Sequence, residues 1–144
     1  MPEKETLERA RRDKREGKAA STQAGEFVRE EIEHIREGKH GARSTKQAIA
    51  IGLSKARRAG VDLPPSKGSS EDTKEQAERD MRKAHSGGKK SAKRSRATKK
   101  ALKREGRSAA SKEALSTQAR KAARKRSAAS RSRSAKKAAA TRKK

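Results

Sequence analysis

The last 58 residues constrain this chain more than any other feature. From Gly87 onward there are 23 Lys and Arg against two Asp and Glu, a net charge of +21, with Leu102 and Leu115 as the large apolar side chains. A segment of that composition repels itself and has little to bury, so it predicts a tail that is disordered when free, or helical conditionally on binding. Residues 1–86 are nearly balanced, with 20 Lys and Arg against 16 Asp and Glu, so +21 of the overall +25 sits on the C-terminal side of the Ser86-Gly87-Gly88 joint. Leu, Ile, Val and Phe number 12 of 144 residues, which limits the chain to one small folded domain.

Ahead of the joint the periodicity is helical, and the fold class expected is mostly α: a small helical hairpin over about 21–63 with marginal helices on either side and the long basic tail. Residues 3–16 read as a short, solvated charged helix with Leu7 as its large apolar residue. Thr22 is placed to cap a second helix that runs to about Glu37. On that helix Ala24, Phe27, Val28, Ile32 and Ile35 share one face, and Glu26, Glu30, Glu33 and Glu37 form an acidic stripe opposite. Ser44-Thr45-Lys46-Gln47 has capping-box spacing, and the third helix it starts ends at Gly60, with Val61 placed for an apolar cap contact and Pro64 and Pro65 beyond. There Ala48, Ile49, Gly52, Leu53, Ala56 and Ala59 share a face small enough for close helix approach, with Ile51 off it. A fourth, weak helix over 71–85 starts near Ser70 or Thr73 and has only Ala77, Met81 and Ala84 as a stripe. The divisions expected are an arm at 1–20, the hairpin module at 21–65, a linker with a marginal helix at 66–86 and the tail at 87–144.

The expected hairpin core is Phe27, Val28, Ile32, Ile35, Ile49 and Leu53. With Ile51, Val61 and Leu63 it amounts to nine large apolar side chains, too few to hold some 43 residues alone. The hairpin therefore needs cover from a homodimer partner, a ligand or another helix.

The tail's chemistry is phosphate neutralisation. Each phosphate met by Lys or Arg releases condensed counterions, and no sequence information is needed for that. The candidate nucleic-acid-binding residues are Lys89, Lys90, Lys93, Arg94, Arg96, Lys99, Lys100, Lys103, Arg104, Arg107, Arg120, Lys121, Arg124, Lys125, Arg126, Arg131, Arg133, Lys136, Lys137, Arg142, Lys143 and Lys144. The partner expected is nucleic acid, DNA favoured over RNA, bound without sequence preference. An RNA- or ribosome-associated protein is the first alternative. A protein-interaction adaptor that works through the hairpin is the second. The sole aromatic, Phe27, belongs to the hairpin, so no base-stacking platform is present. Phosphorylation of Ser132 or Ser134 would weaken phosphate binding.

Other chemistries find no support in the residues. There is no cysteine, and His34, His40 and His85 lack carboxylate partners at metal spacing, so they read as surface histidines and no metal or cofactor is expected. No nucleophile–base pairing or phosphate loop is evident, hence no catalytic residues, no enzyme and no small-molecule substrate. No apolar leader or spanning run is present, which gives a cytoplasmic, nucleoid-associated expectation with no membrane partner.

The segment KQAIAIGLSKARRAG at 46–60, within EFVREEIEHIREGKHGARSTKQAIAIGLSKARRAGVDLPP, resembles a family of small basic bacterial proteins of uncharacterised function. The tail, from KKSAKRSRATKKALKR to SAKKAAATRKK, resembles in composition the C-terminal domains of linker histones and of bacterial histone-like proteins, which implies DNA coating. Short bacterial proteins with similar endings carry a plasmid-stabilisation label.

Overall fold

Small residues at helical spacing decide how the first helices pack. In α2 (Ala20–Arg36) Ala24, Phe27, Ile32 and Ile35 are buried, and in α3 (Thr45–Arg58) Ala48, Gly52 and Ala56 are buried along one stripe. Gly52 lets the two backbones meet: a Cβ built there would stand 2.6 Å from Val28 Cα. The mostly-α architecture follows from this pairing. In this computed structural model residues 1–143 are described, and Lys144 lies outside them. The other elements are α1 (Lys4–Arg15), α4 (Glu71–Ser86), α5 (Ala92–Lys103), a 3₁₀ turn (Ser108–Ala110), α6 (Lys112–Arg124) and α7 (Ala128–Arg142), with no strand among the described residues.

The helix ends show their causes locally. Ser44 accepts from the Gln47 N–H, and Gln47 returns its Oε1 to the Arg43 N–H, one residue ahead of the capping-box position. At the other end of α3 the Val61 N–H reaches the Ala56 carbonyl and Val61 is buried, the cap contact expected for Gly60. For α2 the start differs from the expected Thr22: the helix begins at Ala20 with Ala19 as its N-cap and no side-chain bond. The turn from α1 closes when the Lys18 N–H bonds the Asp13 carbonyl, and Ala20 is small enough to enter the core there.

Two apolar clusters stand where nine large side chains seemed too few. One joins Ala10 of α1 to Ala24, Phe27, Ala56 and Val61, with Leu7, Leu53 and Leu63 at its edge. The other joins Ile32, Ile35, Ala42 and Ala48 to Ala109 and Ala110, with Val28 and Leu115 against it. Ile49 and Leu53 are half-buried, and Ile49 lies outside both clusters. Ala59, placed on the packed face by spacing, is the C-cap of α3 and exposed.

Three readings are corrected. The helix over 3–16 is not solvated: Thr6, Ala10 and Asp13 form a small-residue face buried against α2, a contact that a search for large apolar residues overlooks. The weak fourth helix packs on α3 through Ala77 and through Asp80, which is 0% exposed and accepts from Arg58 Nε at 2.7 Å and Gln76 at 3.1 Å. The tail does contribute to a core. The Gly41 and Ala42 N–H groups donate to the Leu102 and Gly106 carbonyls, and Thr45 Oγ1 and Arg36 Nε donate to the Ala109 and Ala110 carbonyls. Residues 102–111 thus strap across the α2–α3 loop. The hairpin is covered by α1, α4 and this strap, all from its own chain.

Candidate functional site

The basic residues of the tail are positioned by serine caps. Ser91, Ser111 and Ser127 each accept a backbone N–H three residues ahead, which starts α5, α6 and α7. In α5 stand Lys93, Arg94, Arg96, Lys99, Lys100 and Lys103, with Lys89 and Lys90 before the helix and Arg104 as its C-cap. Arg107 precedes the 3₁₀ turn and bonds the Arg36 carbonyl at 3.5 Å. In α6 stand Arg120, Lys121 and Arg124, then Lys125 and Arg126. In α7 stand Arg131, Arg133, Lys136, Lys137 and Arg142, followed by Lys143. All of these are exposed.

Their electrostatics differ from those of about half of the basic residues in the body. Arg9, Lys18, Arg29, Lys39, Lys55, Arg58, Lys74 and Arg79 are each held by a carboxylate. From Lys89 to Lys143, among the described residues, no Lys or Arg forms an ion pair; the tail's Glu105 reaches Arg43 of the body instead. Arg126 folds back to Ser130 and Ser134, a neutral hydroxyl contact. The α-amino group of Met1 is pushed below its usual range, first by burial and then by the charges of Lys90, Lys55 and Lys99, so the start of the tail runs past the N-terminus. Between α3 and α6 a cleft of ≈ 300 Å³ is lined by Lys46, Gln118, Lys121, Ala122, Arg124 and Lys125, with no acidic group. Lys46 was not foreseen, because only the tertiary packing brings it to α6.

The acidic stripe is not an open face. Arg9 of α1 binds Glu26 at 2.6 Å, and Glu30 is only 2% exposed and accepts from the Glu3 N–H. Glu33 and Glu37 remain outside, paired with Arg29 and Lys39. The histidine reading is also corrected. His34 Nε2 is 3.0 Å from Glu3 Oε1, its Nδ1 is 4.0 Å from Glu31 Oε1, and His40 Nε2 is 3.1 Å from Glu31 Oε2. Glu31 is 1% exposed and is also bound by Lys55. Glu31 and His34 lie one helical turn apart in sequence, which was the available signal; His40 arrives through the loop. His85 is exposed and bonds the Met81 carbonyl of its own helix.

Fold and surface together define a small all-helical basic protein, whose body carries a partly buried histidine–carboxylate cluster and whose tail carries unpaired cations. Residues 4–67 match the model of a family of unknown function, DUF6496. The matched stretch contains α1, α2, α3 and the histidine–carboxylate cluster except Glu3, and it ends before α4 and the tail. No curated protein and no solved structure matches the chain. No helix among the described residues is long and apolar enough to cross a membrane.

Proposed function

We propose that this protein binds nucleic acid without sequence preference, duplex DNA ahead of RNA, as a histone-like, nucleoid-associated protein. The observation that carries the reading is the set of exposed, unpaired Lys and Arg on α5, α6 and α7. A charge of that size with only two acidic residues against it, neither paired with a tail cation among the described residues, favours an external polyanion. Six cations on α5 fall along about 18 Å of helix, roughly one per 3 Å, against one duplex phosphate charge per about 1.7 Å of axis. One such helix beside a duplex would neutralise about every second phosphate. The cleft between α3 and α6 brings Lys46 of the body together with Lys121, Arg124 and Lys125 of the tail, a concave cluster of cations for phosphate. Membership of the chain in the matched family, carried by KQAIAIGLSKARRAG at 46–60, belongs to the same proposal.

The test is affinity for a 25-base-pair duplex of arbitrary sequence over a salt series. With 6–10 phosphates engaged, binding should weaken by about 10³ to 10⁵ between 50 and 200 mM salt. Because residues 102–111 are part of the packed body, the informative variant keeps them. It ends at Lys125 and carries Gln at the six α5 positions from Lys93 to Lys103 and at Arg120, Lys121, Arg124 and Lys125. Retained affinity in that variant overturns the assignment to the tail. Structured RNA that outcompetes the duplex overturns the preference for DNA.

A further inference from the structure

We infer that Glu31, His34 and His40 form a binding site for one divalent transition-metal ion, zinc being the best fit, at the junction of α2 with the α2–α3 loop. One ligand atom from each of the three residues lies within 4.8 Å of the other two. The bonds on the far side of each ring set which nitrogen is free. His40 Nδ1 meets the Gly41 carbonyl at 2.9 Å, and a carbonyl can only accept, so that nitrogen carries a proton, and in the neutral ring Nε2 offers a lone pair. This lone pair faces Glu31 Oε2 at 3.1 Å. A neutral imidazole facing a carboxylate at that separation needs a cation between them, and a metal ion fills that role as a second proton on the ring would. His34 Nε2 meets the Glu3 carboxylate at 3.0 Å, which leaves His34 Nδ1 directed toward Glu31.

Each imidazole therefore has one nitrogen tied to an oxygen acceptor and the other turned to a shared carboxylate, the outer-shell arrangement typical of metal-bound histidine. Bonds of about 2.0 Å to nitrogen and oxygen in a tetrahedral site place ligand atoms about 3.3 Å apart, so the three groups need to close by at most about 1.5 Å. Two imidazoles with one carboxylate favour zinc over magnesium or calcium, which take oxygen ligands, and leave a fourth position for water.

Glu30 supplies an independent observation. It is 2% exposed and its Oε1 has no hydrogen-bond partner, although it stands 3.9 Å from both His34 Nε2 and Lys55 Nζ. Lys55 is bound to Glu31 Oε1. When Glu31 turns to a metal ion, the spare oxygen of Glu30 receives Lys55, and both buried carboxylates are then satisfied. The site does not depend on nucleic-acid binding and lies wholly in the body.

The experiment uses the full chain without a histidine tag, stripped with a chelator and titrated with zinc chloride against a chromogenic chelator. One equivalent should bind per chain. Glu3→Gln should weaken binding about 10- to 100-fold as an outer-shell loss, His34→Gln and His40→Gln by at least as much, and His85→Gln not at all. Zinc at 100-fold excess over its dissociation constant should raise the melting temperature by about 5 °C or more. Glu3 is exposed, so its variant reports on the site even if the histidine variants fail to fold. Cobalt(II) in the wild-type protein gives a second readout: intense visible bands of a four-coordinate ion support the site. A weak hexa-aqua-like spectrum, the absence of a one-to-one complex, or equal affinity in the wild type, Glu3→Gln and His40→Gln would overturn it.

Discussion

Replacing one glycine by alanine in each of the two paired helices should move stability in opposite directions. Gly25 lies in α2, exposed, and a Cβ there meets nothing within 4 Å. Gly25→Ala removes chain entropy from the unfolded state and should stabilise by about 0.5–1 kcal/mol. Gly52 lies in α3, where the same atom would stand 2.6 Å from Val28 Cα and 2.9 Å from Val28 N and Cγ2. Carbon atoms in good contact are about 3.5–4.0 Å apart, so α2 and α3 must separate by about 1 Å. Two of the obstructing atoms are backbone, which places the overpacking cost near the upper part of its usual range, about 2–3 kcal/mol. The gain in helix propensity offsets about 1 kcal/mol, leaving a net loss of about 1–2 kcal/mol. At roughly 3 °C per kcal/mol for a chain of this size, Gly52→Ala should melt about 3–6 °C lower than the wild type and Gly25→Ala about 2–3 °C higher. Thermal denaturation followed by circular dichroism reads both. A Gly52→Ala protein as stable as Gly25→Ala would refute the close approach of the two backbones.

Three more outcomes follow from particular contacts. A Cβ at Gly41 would collide with the Glu105 carbonyl, so Gly41→Ala should detach the strap, which hydrogen exchange reads as lost protection at the Ala42 amide and limited proteolysis as cleavage within 102–111; an unchanged pattern counts against docking. Asp80→Ala removes hydrogen bonds from Arg58 and Gln76 and should cost about 1.5–3 kcal/mol, less than a fully closed pair because Arg58 is 38% exposed and can rehydrate. Burial alone would raise the Asp80 pKa, but the neighbouring Ser54 hydroxyl, bonds from Arg58 and Gln76 and the Arg58 charge outweigh it and hold the carboxyl below its ordinary value. The stabilisation is therefore complete above the unfolded-state pKa of about 3.9 and disappears as pH falls through the lower folded value, so between pH 4 and 2 the wild type should lose more melting temperature than Asp80→Asn. Equal acid limbs for the two proteins would show that Asp80 contributes no pH dependence.

What the residues disclose in advance is whatever depends on near neighbours. The Ser44 cap, the Gly60–Val61 ending and the apolar face of α2 are fixed within a turn or two of helix, and the pattern of Phe27, Ile32 and Ile35 is visible in one dimension. What escaped depends on partners far along the chain. α1 was undervalued because its packed face is Thr6, Ala10 and Asp13, residues that bury well only when a second helix comes close. The strap was missed because its adhesion is mostly backbone hydrogen bonding plus two alanines, Ala109 and Ala110, which carry no strong hydropathy signal. In the histidine–carboxylate cluster Glu30, Glu31 and His34 share neighbouring helical turns, yet Glu3 and His40 come from elsewhere, so the pattern shows three of the five residues and gives no sign that Glu30 and Glu31 are covered.

The strap also sets an order of assembly. The Lys55–Glu31 contact between α2 and α3 spans 24 residues, whereas the strap's contacts at Thr45 and Arg36 span 64 and 74. Each doubling of a closed loop adds only about 0.6 kcal/mol, so docking the strap costs about 1 kcal/mol more in chain entropy than closing the hairpin. During synthesis α1 to α3 can fold while the tail is still being made, and the surface of Ile35, Ala42 and Ala48 stays uncovered until residue 110 arrives. The strap should be the last part to close and, under mild denaturation, the first to open.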